Sequence, residues 1–358
     1  MQKPVLAAGD IGNSQSKFAY WENGKIQCFS FKSRVKSGAP GLSMLGGKTE
    51  KSTVFKLSGE VLSVLENATD PLNIVKEGPD SLAVKALALA GLNQMGLSGR
   101  DVNLATNLPL GHYVIRDQHG LTAFNEALMD KKMDALRFKE SDTCLSGSEM
   151  ARIQRGVVFA EGFAAYVDSV VSEEGDISEP TEKKRGVLDI GGGTTEIGIF
   201  GREFEMDDNF ITLPVGTQDI LKGLEKRILA RWPDFEKIEP VVLDRCMETQ
   251  TFIDLAGQSH DMSEDIATCK REVARKIIQE AKDRLKGNID YLDQILLVGG
   301  GGQMLSEYFS EWQLITVPQA PEFANARGLL KLITFLSGLD ESEVEREISH
   351  VEPLAEVE

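Results

Sequence analysis

The sequence predicts an α/β protein built as two related lobes. Three glycine stretches, each following a run that reads as a buried strand, carry that expectation. The central one is Arg185-Gly-Val-Leu-Asp-Ile-Gly-Gly-Gly-Thr-Thr-Glu-Ile-Gly-Ile-Phe-Gly201. Val187 to Ile190 are apolar and β-branched enough for a buried strand, Gly191, Gly192 and Gly193 allow a tight reversal, and Ile197 and Ile199 restart a period of two. A hairpin tip without side chains lets backbone N–H groups approach an anion, and Thr194 and Thr195 can add hydroxyl donors. Asp189, an acceptor only, suits Mg²⁺ or its coordinated water beside phosphates. Taken alone, this stretch equally suits a surface hairpin with a glycine turn.

The N-terminus repeats the pattern. In Val5-Leu-Ala-Ala-Gly-Asp-Ile-Gly-Asn-Ser-Gln-Ser-Lys-Phe-Ala-Tyr20, Asp10-Ile11-Gly12 matches Asp189-Ile190-Gly191, and Ser16-Lys17-Phe18 falls where Thr195-Glu196-Ile197 falls. Two such hairpins suggest two lobes facing one nucleotide, with Lys17 the cation of the pair, able to reach a β- or γ-phosphate. The third stretch runs from the strand Ile295 to Val298 through the turn Gly299, Gly300, Gly301, Gly302 into a helix over Gln303 to Phe309. That geometry packs backbone against a nucleoside or α-phosphate. No Walker loop occurs.

Asp-x-Gly near the N-terminus, Asp-x-Gly-Gly-Gly-Thr-Thr in mid-chain and a late Val-Gly-Gly-Gly together resemble the nucleotide site of the actin, sugar kinase and heat-shock chaperone superfamily. Within it, Leu104-Ala-Thr-Asn-Leu-Pro-Leu110, Phe159-Ala-Glu-Gly-Phe-Ala-Ala165 and the overall length are similar to plasmid-segregation actins of the ParM/StbA type, over most of residues 4–336. The resemblance implies an actin-like (ribonuclease H-like) α/β fold with a nucleotide cleft between duplicated lobes. It implies that Gly12, Asn13, Ser14, Ser16 and Lys17 hold phosphates from one lobe, and Gly191, Gly192, Gly193, Thr194 and Thr195 from the other. Gly299, Gly300, Gly301 and Gly302 would lie by the nucleoside and Gly216 near base and ribose, with Asp10 and Asp189 positioning Mg²⁺ and ATP or GTP as the nucleotide.

Composition permits this reading. With 358 residues and 41% hydrophobic content, the chain can bury one or two sizeable cores. A net charge of −17 argues against direct binding to bare DNA or an anionic membrane, so any link to DNA should pass through a basic adaptor. The four cysteines are scattered without a Cys-x-x-Cys, which signals neither zinc nor a disulfide framework. No signal peptide and no run of about 20 apolar residues is seen, and a soluble, cytoplasmic protein is expected.

In chain order, residues 22–66 alternate polar and apolar positions around glycines and read as short strands and hairpins, with a basic patch at Arg34 to Lys36 and Lys48 to Lys56. Leu82, Ala86, Leu89 and Ala90 predict a core-facing helix capped by Asp80 or Ser81. Val102 to Leu108 is a buried strand, and His112 beyond it is expected to be structural. Residues 121–142 read as a helix or strand pair on the surface. A helix is expected from about Val158 to Val171, with Glu161 in its first turn. That carboxylate either complements the helix dipole or is aimed into the cleft to orient or deprotonate a water attacking the γ-phosphate; the resemblance favours the second.

Residues 172–184 form a charged loop into the second lobe. Helices follow over Gln218 to Trp232 and Glu264 to Lys286, separated by mixed signals at 234–262 that suggest a variable outer subdomain. After a strand at Leu314 to Val317, Asn325-Ala-Arg-Gly328 opens a helix over Leu329 to Leu336 that the family uses to cross back between lobes. Lobe I is thus 1–184 with 329–338 returning to it, and lobe II is 185–328. The stretch 339–358 is an acidic tail, with seven Glu and one Asp against one Arg from Asp340 onward, expected to be solvated and disordered.

The resemblance implies a polymerising actin-like ATPase, with Glu161 and Asp189 as catalytic residues. Its filaments would segregate plasmid DNA through an adaptor at a centromere-like site. The alternatives are a small-molecule kinase, for which no aspartate base stands in a recognisable motif, and a non-polymerising scaffold on the same fold.

Overall fold

The computed structural model describes residues 3–40, 52–68, 70–116, 122–177, 184–201, 204–208, 210–287 and 291–338. The acidic tail, Lys48 to Lys51 of the basic patch and 178–183 of the interlobe loop lie outside them. Two five-stranded sheets organise the chain. The first contains β1 (Val5–Ile11), β2 (Gln15–Glu22), β3 (Lys25–Lys32), β4 (Asp101–Leu108) and β5 (Arg152–Ala160) in the order β5-β4-β1-β2-β3. The second contains β6 (Lys184–Ile190), β7 (Thr195–Phe200), β8 (Ile211–Leu213), β9 (Leu292–Val298) and β10 (Ile315–Thr316) in the order β8-β7-β6-β9-β10. In each, three antiparallel strands are followed by two that add in parallel on the other side of the first. The repeated motifs therefore occupy repeated topology: Asp10 faces Lys17 across one hairpin, and Asp189 faces Glu196 across the other.

Parallel strands need cover on both faces, and the period of two divides the side chains between two covers. In the first sheet Ala7, Phe18 and Leu104 point to one face, packed with Leu87 and Leu89 of the helix Leu82–Gln94. Their neighbours Ala8, Ala19 and Ala105 point to the other, against Ala326, Leu329, Leu330 and Ile333 of the helix Ala324–Ser337. Of the two caps offered for the first helix, Ser81 is the one used, its hydroxyl accepting from Val84 N. In the second sheet Leu188, Ile190, Ile197 and Ile199 pack with the helices Thr217–Arg231 and Ser263–Leu285. Val187, Leu296 and Val298 on its other face meet Tyr166, Val167 and Val170 of the helix Phe163–Val170. That helix also packs against Ala324–Ser337, where a Cβ on Gly328 would fall 1.7 Å from Ala164 O, so both helices lie between the sheets with their backbones touching.

Three expectations change. The helix from Val158 begins only at Phe163, because Arg152–Ala160 is a strand pairing in parallel with β4; Glu161 stands in the turn that follows it. Its apolar residues fit a strand buried on two sides as well as they fit a helix. The four glycines are not a turn before a helix but its first turn, Gly299–Leu305. Residues 121–142 hold the strand Thr122–Phe124 and the helix Glu126–Leu136, and the latter buries Lys132 instead of lying free on the surface. Residues 234–262 resolve into a helix, Pro240–Thr249, and a hairpin of Thr251–Ile253 with Ser259–Asp261. The hairpins expected at 22–66 are present: Val35–Ser37, Thr53–Leu57 and Glu60–Val64 form a small outer sheet with Thr143–Cys144.

Candidate functional site

The two hairpin tips meet. A Cβ on Gly192 would lie 2.3 Å from Ser14 Oγ and 2.9 Å from Ser14 N, and Gln218 Nε2 donates across to Asn13 O and Ser14 Oγ, both at 3.4 Å. Gly216 lies under the second tip, where a Cβ would come within 2.5 Å of Gly192 O; Thr217 N and Gln218 N donate to Gly191 O and Gly192 O at 3.0 and 2.9 Å. The start of the helix Thr217–Arg231 thus braces the turn. Ser16 and Thr195 hold equivalent register positions, and both are buried with their hydroxyls engaged, Ser16 with Ser33 Oγ at 2.8 Å and Thr195 donating to Val215 O at 2.8 Å. They stiffen the hairpins, while Gly12, Asn13, Ser14, Gly191, Gly192, Gly193 and Thr194 keep partial exposure.

Beneath the tips lie Asp10 and Asp189, both buried, each clamped by an asparagine. Asn107 Nδ2, from the end of β4, donates to Asp10 Oδ1 at 2.8 Å, and Lys17 Nζ donates to Asp10 Oδ2 at 3.2 Å. Asn325 Nδ2, in the first turn of Ala324–Ser337, donates to Asp189 Oδ2 at 2.6 Å, while its Oδ1 accepts from Gly162 N at 3.1 Å. A Cβ on Gly299, which has φ +81°, would come within 2.4 Å of Asp189 Oδ1. Glycine there lets the third motif close on the second aspartate. Gly301 is likewise pressed on Ile190, whereas Gly300 opens to free space.

Glu161 follows β5 and is ringed by charge, with one part still exposed. Burial raises its carboxyl well above the usual range, repulsion from Asp10, Glu196 and Asp189 adds to that, and Lys132 opposes it. Burial and the Asp10 charge push Asp189 up to about 6, against the Asn325 hydrogen bond and Lys17. Burial pushes Glu196 up to about 8 in spite of the Thr212 hydroxyl that donates to it, with Asp189 adding. Burial would lower the Lys17 ammonium, but attraction to Asp10, Asp189 and Glu161 outweighs it and holds the group above its ordinary value. Two buried lysines therefore face four acids, an unbalanced cluster that a cation would relieve.

The aspartate pair fits Mg²⁺. Carboxylate oxygens are hard donors, a pair suits an ion that keeps several waters, and Asn107 Oδ1, buried without a hydrogen bond among the described residues, can accept from such a water. Away from the tips, the two lobes are also joined by ion pairs. Lys32 Nζ lies 2.6 Å from Asp244 Oδ2 and 3.8 Å from Glu248, while Arg34 pairs with the same Asp244 and donates to Glu66 O at 2.6 Å. These groups line a cavity of about 440 Å³. Arg34 of the basic patch is thus bound to the opposite lobe and is nearly buried.

Family models match both halves of the chain: the N-terminal domain of actin like proteins over residues 8–141, and the C-terminal domain of the archaeal actin homologue MreB-like family over residues 187–311. Both halves of the chain match actin-like families, and its fold is actin-like. Solved structures agree on the fold. An archaeal actin homologue superposes with a TM-score of 0.72 at 19% identity, covering 92% of this chain and 99% of that one. The ADP complex of an archaeal actin homologue gives 0.72 at 17%, with the same coverage. The ParM of a 15-stranded filament from Clostridium botulinum gives 0.72 at 19%, covering 93% of this chain and 100% of that one. A search of curated protein sequences gives no match.

In this actin-like chain the structure brings Asp10, Lys17, Glu161, Asp189 and the three glycine motifs to one cleft. Four contributors escaped sequence reasoning. Asn107 and Asn325 stood in quoted motifs but carried no chemistry there; their spacing from the ends of β4 and of the returning helix was the available signal. Glu196 was visible as the register partner of Asp189, and Lys132 was hidden in a charged run that reads as solvent-facing.

Proposed function

We propose that this actin-like protein is a cytoplasmic ATPase that polymerises and whose filaments move plasmid DNA through a basic adaptor. The observation that carries the reading is the meeting of the two hairpin tips over Asp10 and Asp189, which supports one nucleotide held between two lobes by the backbone of both tips. The reading divides the chain into lobe I, 1–184 with 329–338, and lobe II, 185–328. Support for nucleotide binding comes from the ADP complex of an archaeal actin homologue, and support for assembly from the ParM filament. The net charge of −17 favours an adaptor over direct contact with DNA.

In this mechanism backbone N–H groups of Gly12 to Ser14 and of Gly191 to Thr194 hold the phosphates, and Lys17 leaves part of its contact with Asp10 to neutralise the β- or γ-phosphate. Asp10 and Asp189 would hold Mg²⁺ through its waters, which supplies charge neutralisation at the transferring phosphoryl group. Glu161 orients the attacking water and accepts its proton. Because the lobes share the phosphates, hydrolysis loosens their closure and with it the filament contacts.

The test is phosphate release and right-angle light scattering recorded together across protein concentration with ATP and Mg²⁺. Scattering should appear above a critical concentration, with turnover rising alongside. Turnover proportional to protein without scattering would contradict polymerisation; no turnover on any nucleotide would contradict the enzyme.

A further inference from the structure

Lys132 has no assigned place in this scheme, and its setting is unusual. The helix Glu126–Leu136 carries Lys131 in solvent, yet turns Lys132 inward to 3% exposure. A buried ammonium costs several kcal/mol of desolvation unless charge and hydrogen bonds offset it. An unbranched apolar side chain of the same reach would fill the space without that cost. What the cation meets is the back of the cleft: Nζ donates to the main-chain oxygen of Asn107, the residue whose amide clamps Asp10, and the charges acting on it are those of Glu161 and Asp10.

We propose that Lys132 is a positioning residue for nucleotide hydrolysis: it fixes the Asn107–Asp10 pair from behind and sets a counter-charge against Glu161. The inference rests on the hydrolysis reading above. Glu161 is faced by Asp10 from β1, Asp189 from β6 and Glu196 from β7, all of which oppose its ionisation. The opposing cations are Lys17, already committed to Asp10, and Lys132. A base must be ionised to take a proton, and the cation behind Glu161 works against burial and the three acids to widen the pH range over which it can act. Burial in turn lowers the Lys132 ammonium to about 8, against the attraction of Glu161 and Asp10, so this counter-charge is lost as pH rises through that value.

The experiment compares wild type, Lys132→Met and Lys132→Arg by steady-state phosphate release from pH 5.5 to 9, with binding of a fluorescent ATP analogue and thermal unfolding alongside. Lys132→Met should fold and bind nucleotide within about threefold of wild type. Its kcat near pH 7 should fall at least about tenfold, and the acidic limb of its rate profile should move up by about one pH unit. Lys132→Arg, which keeps the charge, should recover most of the rate. If Lys132→Met does not fold, Lys132→Gln carries the same comparison. A neutral variant with wild-type kcat and an unmoved profile would overturn the inference, as would one that loses binding and turnover together with no change in profile. Wild type that binds nucleotide but releases no phosphate would overturn the hydrolysis reading and this inference with it.

Discussion

At Glu161 and Asp189 the strain of unlike roles packed into one cleft becomes measurable. Replacing Glu161 by Gln keeps its volume and removes the base of the proposed hydrolysis, so phosphate release should fall by about 10²–10³-fold while nucleotide affinity changes little. Asp189 gives a stability test. Burial and the Asp10 charge push its carboxyl up to about 6 from the ordinary 3.8, so the folded state holds the proton more tightly than the unfolded one. That contribution is fully present below about pH 4 and is lost as pH rises through 6, roughly 3 kcal/mol at most. Nucleotide-free Asp189→Asn should therefore melt higher than wild type at pH 8, with the gap closing toward pH 4, and should lose the stabilisation that Mg²⁺ and ATP give; a gap that is flat with pH would contradict the assignment. Asp189 was legible in the sequence through its hairpin motif, and Glu161 through the resemblance of Phe159-Ala-Glu-Gly-Phe-Ala-Ala165, although the helix expected to carry it is a turn. The asparagines that clamp the aspartates were not, since a short amide at the end of a strand or the start of a helix reads the same whether it caps the element or holds a carboxylate 97 or 136 residues away.

Among the elements, helix contacts and cross-lobe pairs decide how the lobes sit. Gly328 touches the Ala164 backbone, and a methyl there would force Phe163–Val170 and Ala324–Ser337 apart; Gly328→Ala should cost about 3 kcal/mol in urea unfolding. Asp244 binds Lys32 and Arg34 from the other lobe, and Asp244→Asn should speed hydrogen exchange over Val35–Ser37 and Pro240–Thr249 while leaving β1 and β6 protected. Sequence periodicity located the long helices well, because Thr217–Arg231 and Ser263–Leu285 each bury one stripe. It failed at β5, whose closing run Val157 to Ala160 is apolar on both faces and carries no period to separate it from the helix that follows.

Across the whole molecule, duplication explains both the fold and the cleft. Two sheets of one topology bring equivalent hairpins together, but the equivalent register positions hold Lys17 in one lobe and Glu196 in the other, so the lobes are alike in backbone and unlike in charge. The repeated Asp-Ile-Gly made the duplication readable; the burial of Lys132 depends on how a distant helix packs and was not. The central claim is that one nucleotide is held jointly by the two lobes. Isothermal titration with ATP and Mg²⁺ on wild type, Asp10→Asn and Asp189→Asn tests it most directly. The account predicts one nucleotide per chain and a loss of at least about tenfold in affinity from either substitution alone. Two sites per chain, or a loss confined to one of the two variants, would contradict it.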